Sequence, residues 1–261
     1  MTFSGFASAD LAFLTGLAAN NDRDWFTAHR AAYDDGLKPA LAALIADTSA
    51  ACAALDLPLS GDPKRSVFRI HRDTRFSKDK RPYKAHVSAT LTRDGLKMSP
   101  GMMYMHIEPE GGSRPGFDPD SIDPLDPSTH PSEAATADEG PFGKGPFVAG
   151  GFYLDERPDI DAMRRAIVAD PARWAAVGEA LSKAGLALDP GAPVKRMPKG
   201  FEEHAGTDLE PALKRTRWLV SRSLSGAEIA SPDLPATLAS FAADARPLLD
   251  FGWSALGQTR T

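Results

Sequence analysis

At Ser66 the spacing of apolar residues switches from helical to alternating, and no other feature constrains the fold of this chain as strongly. A helix buries a stripe that returns every 3.6 residues, whereas a strand buries every second residue, so each segment follows one period or the other. Before the switch, Trp25, Phe26 and Tyr33 recur at helical spacing. Ser8 is placed to cap a helix running to about Ala19, and Asn21 with Asp24 has the form of a capping box for a second. Gly36 interrupts, and Pro39 suits the first turn of a third helix ending near Leu55. After the switch, Val67, Arg69 and His71 alternate with Phe68 and Ile70. Tyr83, Ala85, Val87, Ala89 and Leu91 alternate with Lys84, His86, Ser88 and Thr90, and the Asp94-Gly95 turn leads to a further strand over Met102–Glu108. These strands predict an antiparallel meander with Tyr83, Val87, Leu91, Met103 and Ile107 on the core face and Lys84, His86 and Ser88 on the polar one.

The remainder reads as a strand from Phe147 to Leu154, a helix opened by Pro158, and a second led by Asp170-Pro171 to a glycine stop. A capping box at Thr207 and Glu210, a strand over about Thr216–Ser223 and a helix from near Ser231-Pro232 follow. Helices, then strands, then helices with a late strand predict α+β: one domain over residues 1–261, a mainly antiparallel sheet packed against N-terminal and C-terminal helices. Within it, residues 109–147 form a Pro/Gly-rich acidic loop holding 14 of the 44 glycines and prolines.

Charge localises the candidate chemistry. The chain carries net charge -5, yet Lys64–Lys84 has nine basic residues against Asp73 and Asp79, a local +7. Residues 108–140 carry nine acids against Arg114. An acidic whole argues against a protein that coats nucleic acid or membrane with its entire surface, so an anion site must be local. If Phe68 and Ile70 face the core, alternation aims Arg72 inward too, and a buried guanidinium requires a carboxylate from Asp73 or a more distant acid. Arg69, Arg72 and Arg75 recur every third residue, a spacing that can converge three forks on one anion.

The run R-I-H-R-D-T-R-F-S-K-D-K-R-P-Y at Arg69–Tyr83 resembles the signature of a bacterial family known as domain of unknown function two-four-six-one. NNDRDWF at Asn20–Phe26, Gly150-Gly151 ahead of an Arg164-bearing helix, and PKGF at Pro198–Phe201 extend the resemblance over most of the chain. It implies a single-domain cytoplasmic protein and supplies no activity. The acidic segment is longer than the family's usual length.

Three functional readings stay open on the residues alone. One is binding of a phosphate-bearing or other anionic ligand by Arg69, Arg72, Arg75, Lys80, Tyr83 and Lys84, with Asp73, Lys80 and Tyr83 as candidate catalytic groups should a reaction occur there. Another is a nucleic-acid-binding module, with Phe68, Phe76 and Tyr83 interleaved among the cations. The third is an ion-pair network with a purely structural role, in a chain that functions as an interaction protein. His71, His86 and His106 share the polar parity, but no metal-ligand motif is present and no metal is assigned. Phosphate loops, dinucleotide fingerprints and Gly-x-Ser-x-Gly are absent, so the residues leave any cofactor unknown and give serine-hydrolase chemistry no support. The lone Cys52 precludes an internal disulfide and reads as a small core residue. No run approaches the length of a membrane span, and Leu11–Ala19 lacks a basic leader, so the expected location is cytoplasmic with no membrane partner.

Overall fold

Val87, Ala89 and Leu91 line one side of strand β1 (Val87–Thr92), and Met103, Met105 and Ile107 continue that side on β2 (Met102–Ile107). The computed structural model describes residues 2–75, 79–110 and 145–257. Strands β3 (Phe147–Tyr153) and β4 (Arg217–Ser223) complete a four-stranded sheet of order β1-β2-β3-β4, antiparallel throughout. Helices α1 (Ser8–Ala19), α2 (Arg23–Ala28), α3 (Lys38–Ala54), α4 (Arg157–Ala169), α5 (Pro171–Lys183) and α8 (Leu234–Ala255) surround one face, with short α6 (Glu210–Leu213) and α7 (Gly226–Ile229) before and after β4. One apolar cluster runs from Phe3 through the sheet to Trp253, which joins N-terminal and C-terminal helices in a single α+β domain.

Tyr83, Val87, Leu91, Met103 and Ile107 are all buried in that core, at the expected parity. The opposite face departs from expectation: His86, Ser88 and Thr90 are buried as well, and Phe68, Met102, Tyr104, Phe147 and Leu219 form a second apolar cluster there. Both faces of the central strands are therefore covered. Gly150 lets the sheet approach α8, since a Cβ at this position would lie 3.2 Å from the Phe241 ring and 3.4 Å from Ala245.

Both flanks of the sheet carry irregular chain. Ser60, Val67 and His71 make isolated bridges to Thr92, Ala89 and Tyr83, and Leu188 bridges Val220. The strand expected at 66–71 is thus a broken edge rather than a continuous ladder. Val67 pairs with Ala89 and His71 with Tyr83, so four steps on one side oppose six on the other, a two-residue bulge around Lys84–His86. This bulge rotates the edge, placing Phe68 in the second cluster and Ile70 in the main core, where unbroken alternation would put them together.

Several helix starts shift by a residue or two. Asp10 Oδ2, not Ser8, accepts the Ala7 N–H (2.9 Å), and Asp22, not Asn21, caps α2 by accepting the Trp25 N–H (2.8 Å). Gly36 does not end a helix. The chain passes through a π-helical stretch at Ala32–Leu37 straight into α3, and a Cβ at Gly36 would lie 2.7 Å from Asp10 Oδ1. Thr207 does not cap α6. Its hydroxyl donates to the His204 carbonyl (2.7 Å), while Ser225 and Glu228 form the capping box of α7. Among the described residues, the run Ala32–Ala54 alone meets the length and hydropathy of a membrane span, and its Leu41, Leu44 and Ile45 are buried in the main core. Cys52 is buried, which pushes its thiol up to about 11. Residues 111–144, most of the acidic loop expected at 109–147, lie outside the described residues.

Candidate anion-binding site

Beside the bridged edge, where the Val67–Arg72 segment faces the start of α3, the structure forms a cavity of about 1010 Å³. Local turn chemistry sets its walls. Asp62 Oδ1 accepts the N–H groups of Lys64 and Arg65 (2.8 Å each), folding the turn that presents Lys64. Across the β1–β2 hairpin, Asp94 Oδ1 accepts the Leu96 N–H (2.9 Å) and the Thr90 hydroxyl donates to the Lys97 carbonyl (2.9 Å), which fixes Lys97 at the rim. Lys97 Nζ then donates to the Val67 carbonyl (3.3 Å) and stands 4.6 Å from the centroid of Phe68, with Lys84 Nζ 5.6 Å from the same centroid.

Six cations line this cavity, Lys38, Lys64, Arg69, Arg72, Lys84 and Lys97, and Asp34 is the one carboxylate among its lining residues, with Asp79 behind Arg72 and the charges of Asp62 and Asp73 reaching Lys64 and Arg69. Asp34 is itself engaged by Arg30 (2.9 Å) and Lys38 (3.7 Å), and the Arg30 hydrogen bond leads in holding its carboxyl below the usual range. Burial, with the Asp34 charge adding to it, pushes the Tyr33 phenol upward, so the wall there offers a neutral hydroxyl. Arg72 is 7% exposed at the side chain, and its Nη1 donates to Asp79 (2.9 Å) and to the Arg81 carbonyl (3.0 Å). Asp79 also accepts from Arg81. Burial opposes its ionisation, but hydrogen bonds from Arg81 and the charges of Arg72 and Arg81 prevail and hold it at about 2.

The chain is matched by a family model, DUF2461, described as a conserved hypothetical protein, over residues 9–117 and 142–251. The chain belongs to this family. No curated protein and no solved structure matches it. The internal gap in the DUF2461 match, residues 118–141, falls within the acidic segment.

Within this DUF2461 chain the expected ligand residues separate into two groups. Arg69, Arg72 and Lys84 line the cavity, whereas Arg75, Lys80 and Tyr83 do not. Arg75 turns to solvent and clasps Asp73 through Nε (3.0 Å) and Nη2 (2.6 Å), a clasp that holds Asp73 at about 2. Three forks therefore do not converge on one anion, because the third is taken by the acid two residues before it. Arg72 pairs with the more distant Asp79 rather than Asp73. Lys80 Nζ donates to the Thr74 carbonyl (2.8 Å) and borders a shallower concavity with Trp25 and His29. Tyr83 is buried with its ring stacked on Phe26 at 4.2 Å. Asn21 clamps its backbone, donating to the Tyr83 carbonyl (2.9 Å) and accepting its N–H (3.0 Å), so the side chain of one signature motif pairs with the main chain of another.

Lys38, Lys97 and Asp34 are cavity residues that sequence reasoning missed, and no local pattern marks them, since they come from a helix and a hairpin turn brought in by the fold. Phe76 lies outside the described residues. His71 leaves the histidine set for a place beside Phe26 and Tyr83, while His86 and His106 do meet, with ring centroids 4.1 Å apart and Glu108 Oε1 3.7 Å from His106 Nε2. Among the described residues no group of three His, Cys, Asp or Glu side chains is arranged to hold a metal ion.

Proposed function

We propose that the cavity beside the broken edge binds a phosphate-bearing or other anionic small ligand. The observation that carries this reading is that Lys64, Arg69 and Lys97 line a concave space of about 1010 Å³ with no carboxylate at ion-pair distance among the described residues, while Arg72 and Lys38 on the same wall are paired with Asp79 and Asp34. Such a cluster repels itself unless an anion, an acidic surface or solvent screens it. Arg69 is exposed and, among the described residues, has no ion-pair partner, so its planar fork is available to two oxyanion oxygens at once. Lys64 and Lys97 add point charges and Tyr33 a hydroxyl, while Arg72, braced by Asp79, forms a fixed part of the wall. A concave site favours a small ligand over a nucleic-acid backbone, which tracks along open basic stripes. Asp73, Lys80 and Tyr83 lie outside the cavity lining, so this reading is one of binding and assigns no chemical step.

The test is thermal stabilisation by a panel of phosphorylated compounds and carboxylates at matched ionic strength. A ligand at about a hundred times its dissociation constant adds about 2.7 kcal/mol to folding. Arg69→Glu should abolish the gain while leaving the circular dichroism spectrum unchanged. A shallow salt dependence is expected, whereas a duplex bound through several phosphates loses affinity with a log–log slope of about 0.9 per contact. No stabilisation by any anion in the panel overturns the reading.

A further inference from the structure

We propose that the ligand is an organic diphosphate, two linked phosphates carrying an apolar group, an inference that rests on the anion-binding reading above. Charge supplies the first argument. Arg72 is paired with Asp79 and Lys38 with Asp34, but among the described residues Lys64, Arg69 and Lys97 have no carboxylate within ion-pair distance. A single phosphate ester carries about -1.5 to -2 at neutral pH and leaves part of that charge unanswered. A second, linked phosphate supplies the remainder. The three cations also come from three separate segments, the Asp62 turn, the edge segment and the β1–β2 hairpin, so they surround an extended anion better than a compact one.

Size and polarity supply the second argument. Small-molecule sites run from about 300 to 1,000 Å³, and this cavity lies at the upper end, so a bare phosphate would leave most of it filled with water. Pro39, Ala42, Pro63, Val67 and Met98 give it an apolar wall, and Met98 is 48% exposed beside it. The cavity has an axis. Asp34, Pro39 and Ala42 belong to one continuous helical run, whereas Lys64, Arg69 and Lys97 belong to the sheet side. On the helix side Lys38 is already paired with Asp34 and the wall is Pro39 and Ala42, whereas the cations without a carboxylate at ion-pair distance lie on the sheet side, so the diphosphate takes the sheet side and the neutral apolar end takes the helix side. Nucleoside diphosphates and isoprenyl diphosphates share this chemistry.

Calorimetric titration without divalent cations, at about 0.15 M salt, tests it with inorganic phosphate, pyrophosphate, adenosine diphosphate and a short isoprenyl diphosphate. Pyrophosphate should bind at least about tenfold tighter than phosphate, and one of the two organic diphosphates at least about tenfold tighter than pyrophosphate. The tighter of the two identifies the source of the apolar group. Ala42→Trp, which fills the helix side, should remove the second gain and keep pyrophosphate binding within about twofold, while Arg69→Gln should weaken every member about tenfold or more. Pyrophosphate no tighter than phosphate overturns the diphosphate proposal and leaves anion binding standing. Organic diphosphates no tighter than pyrophosphate in the wild-type chain also overturn it. Absence of binding by all four removes both readings.

Discussion

Replacing Asp79 with Asn should destabilise the protein by about 2–3 kcal/mol at neutral pH. Breaking a buried ion pair by removing one partner costs about 3–5 kcal/mol, because the remaining charge is left desolvated. The Arg72 side chain is 7% exposed and meets that condition, but Asp79 is 20% exposed and Arg72 keeps the Arg81 carbonyl at 3.0 Å, so the cost falls below the fully buried range. For a chain of this size each kcal/mol moves the melting temperature by about 2–4 °C, which gives a fall of about 4–12 °C in a calorimetric scan. Acid titration supplies an independent signature. Asp79 ionises at about 2 in the folded protein against an ordinary 3.8, so its contribution is present above the unfolded value and disappears as pH falls through the folded one. The difference between wild type and Asp79→Asn should therefore be full above about pH 5 and should shrink toward pH 2. An unchanged melting temperature at pH 7, or a difference that stays constant down to pH 2, refutes the role assigned to this carboxylate.

Asp73→Asn should leave the denaturation midpoint essentially unchanged, because both Asp73 and its partner Arg75 are solvent-exposed and exposed ion pairs contribute little. Asn21→Ala removes both hydrogen bonds to the Tyr83 backbone and should cost about 1–3 kcal/mol, read as a lower denaturation midpoint with an unchanged slope. Gly252→Ala should destabilise by about 1–3 kcal/mol despite alanine's better helix propensity, since its Cβ would sit 2.2 Å from the buried Phe152 ring; a rise in melting temperature would show that the ring yields at no cost.

The sheet was legible because alternation is a local property: β2, β3 and β4 lie within a residue or two of the predicted strands, and the core parity at Val87, Leu91, Met103 and Ile107 follows from it. The edge was less legible. Nothing between Val67 and His71 announces that the partner strand holds two surplus residues, and the bulge at Lys84–His86 is what separates Phe68 from Ile70. Polar residues at His86, Ser88 and Thr90 suggested a wet face, yet parity reports only which residues share a side and not whether that side is covered. Candidate site residues divided for a related reason. Spacing located the basic run, but whether a given arginine faces a cavity or a neighbouring acid depends on tertiary placement. Asp73 lies two residues from Arg75 and clasps it, whereas Arg72 is held by Asp79 seven residues away.

Irregular chain along both flanks of the sheet also bears on edge-to-edge strand pairing between molecules. An open strand edge is a template for another chain, and natural proteins blunt it with bulges, charges and covering segments. Here Ser60, Val67 and His71 occupy the outer edge of β1 and its approach, and Leu188 with Asp189 occupies that of β4, where the Asp189 N–H donates to the Leu219 carbonyl at 2.8 Å. The strand beneath the first cover, Val-Ser-Ala-Thr-Leu-Thr, has neither charge nor proline, a composition prone to cross-β pairing once bare. The Arg72–Asp79 pair ties the far end of that covering segment, next to the His71–Tyr83 bridge, so Asp79→Asn is expected to loosen the segment and to raise light scattering on heating. Covering the β1 edge thus keeps an uncharged, proline-free strand out of reach of another chain.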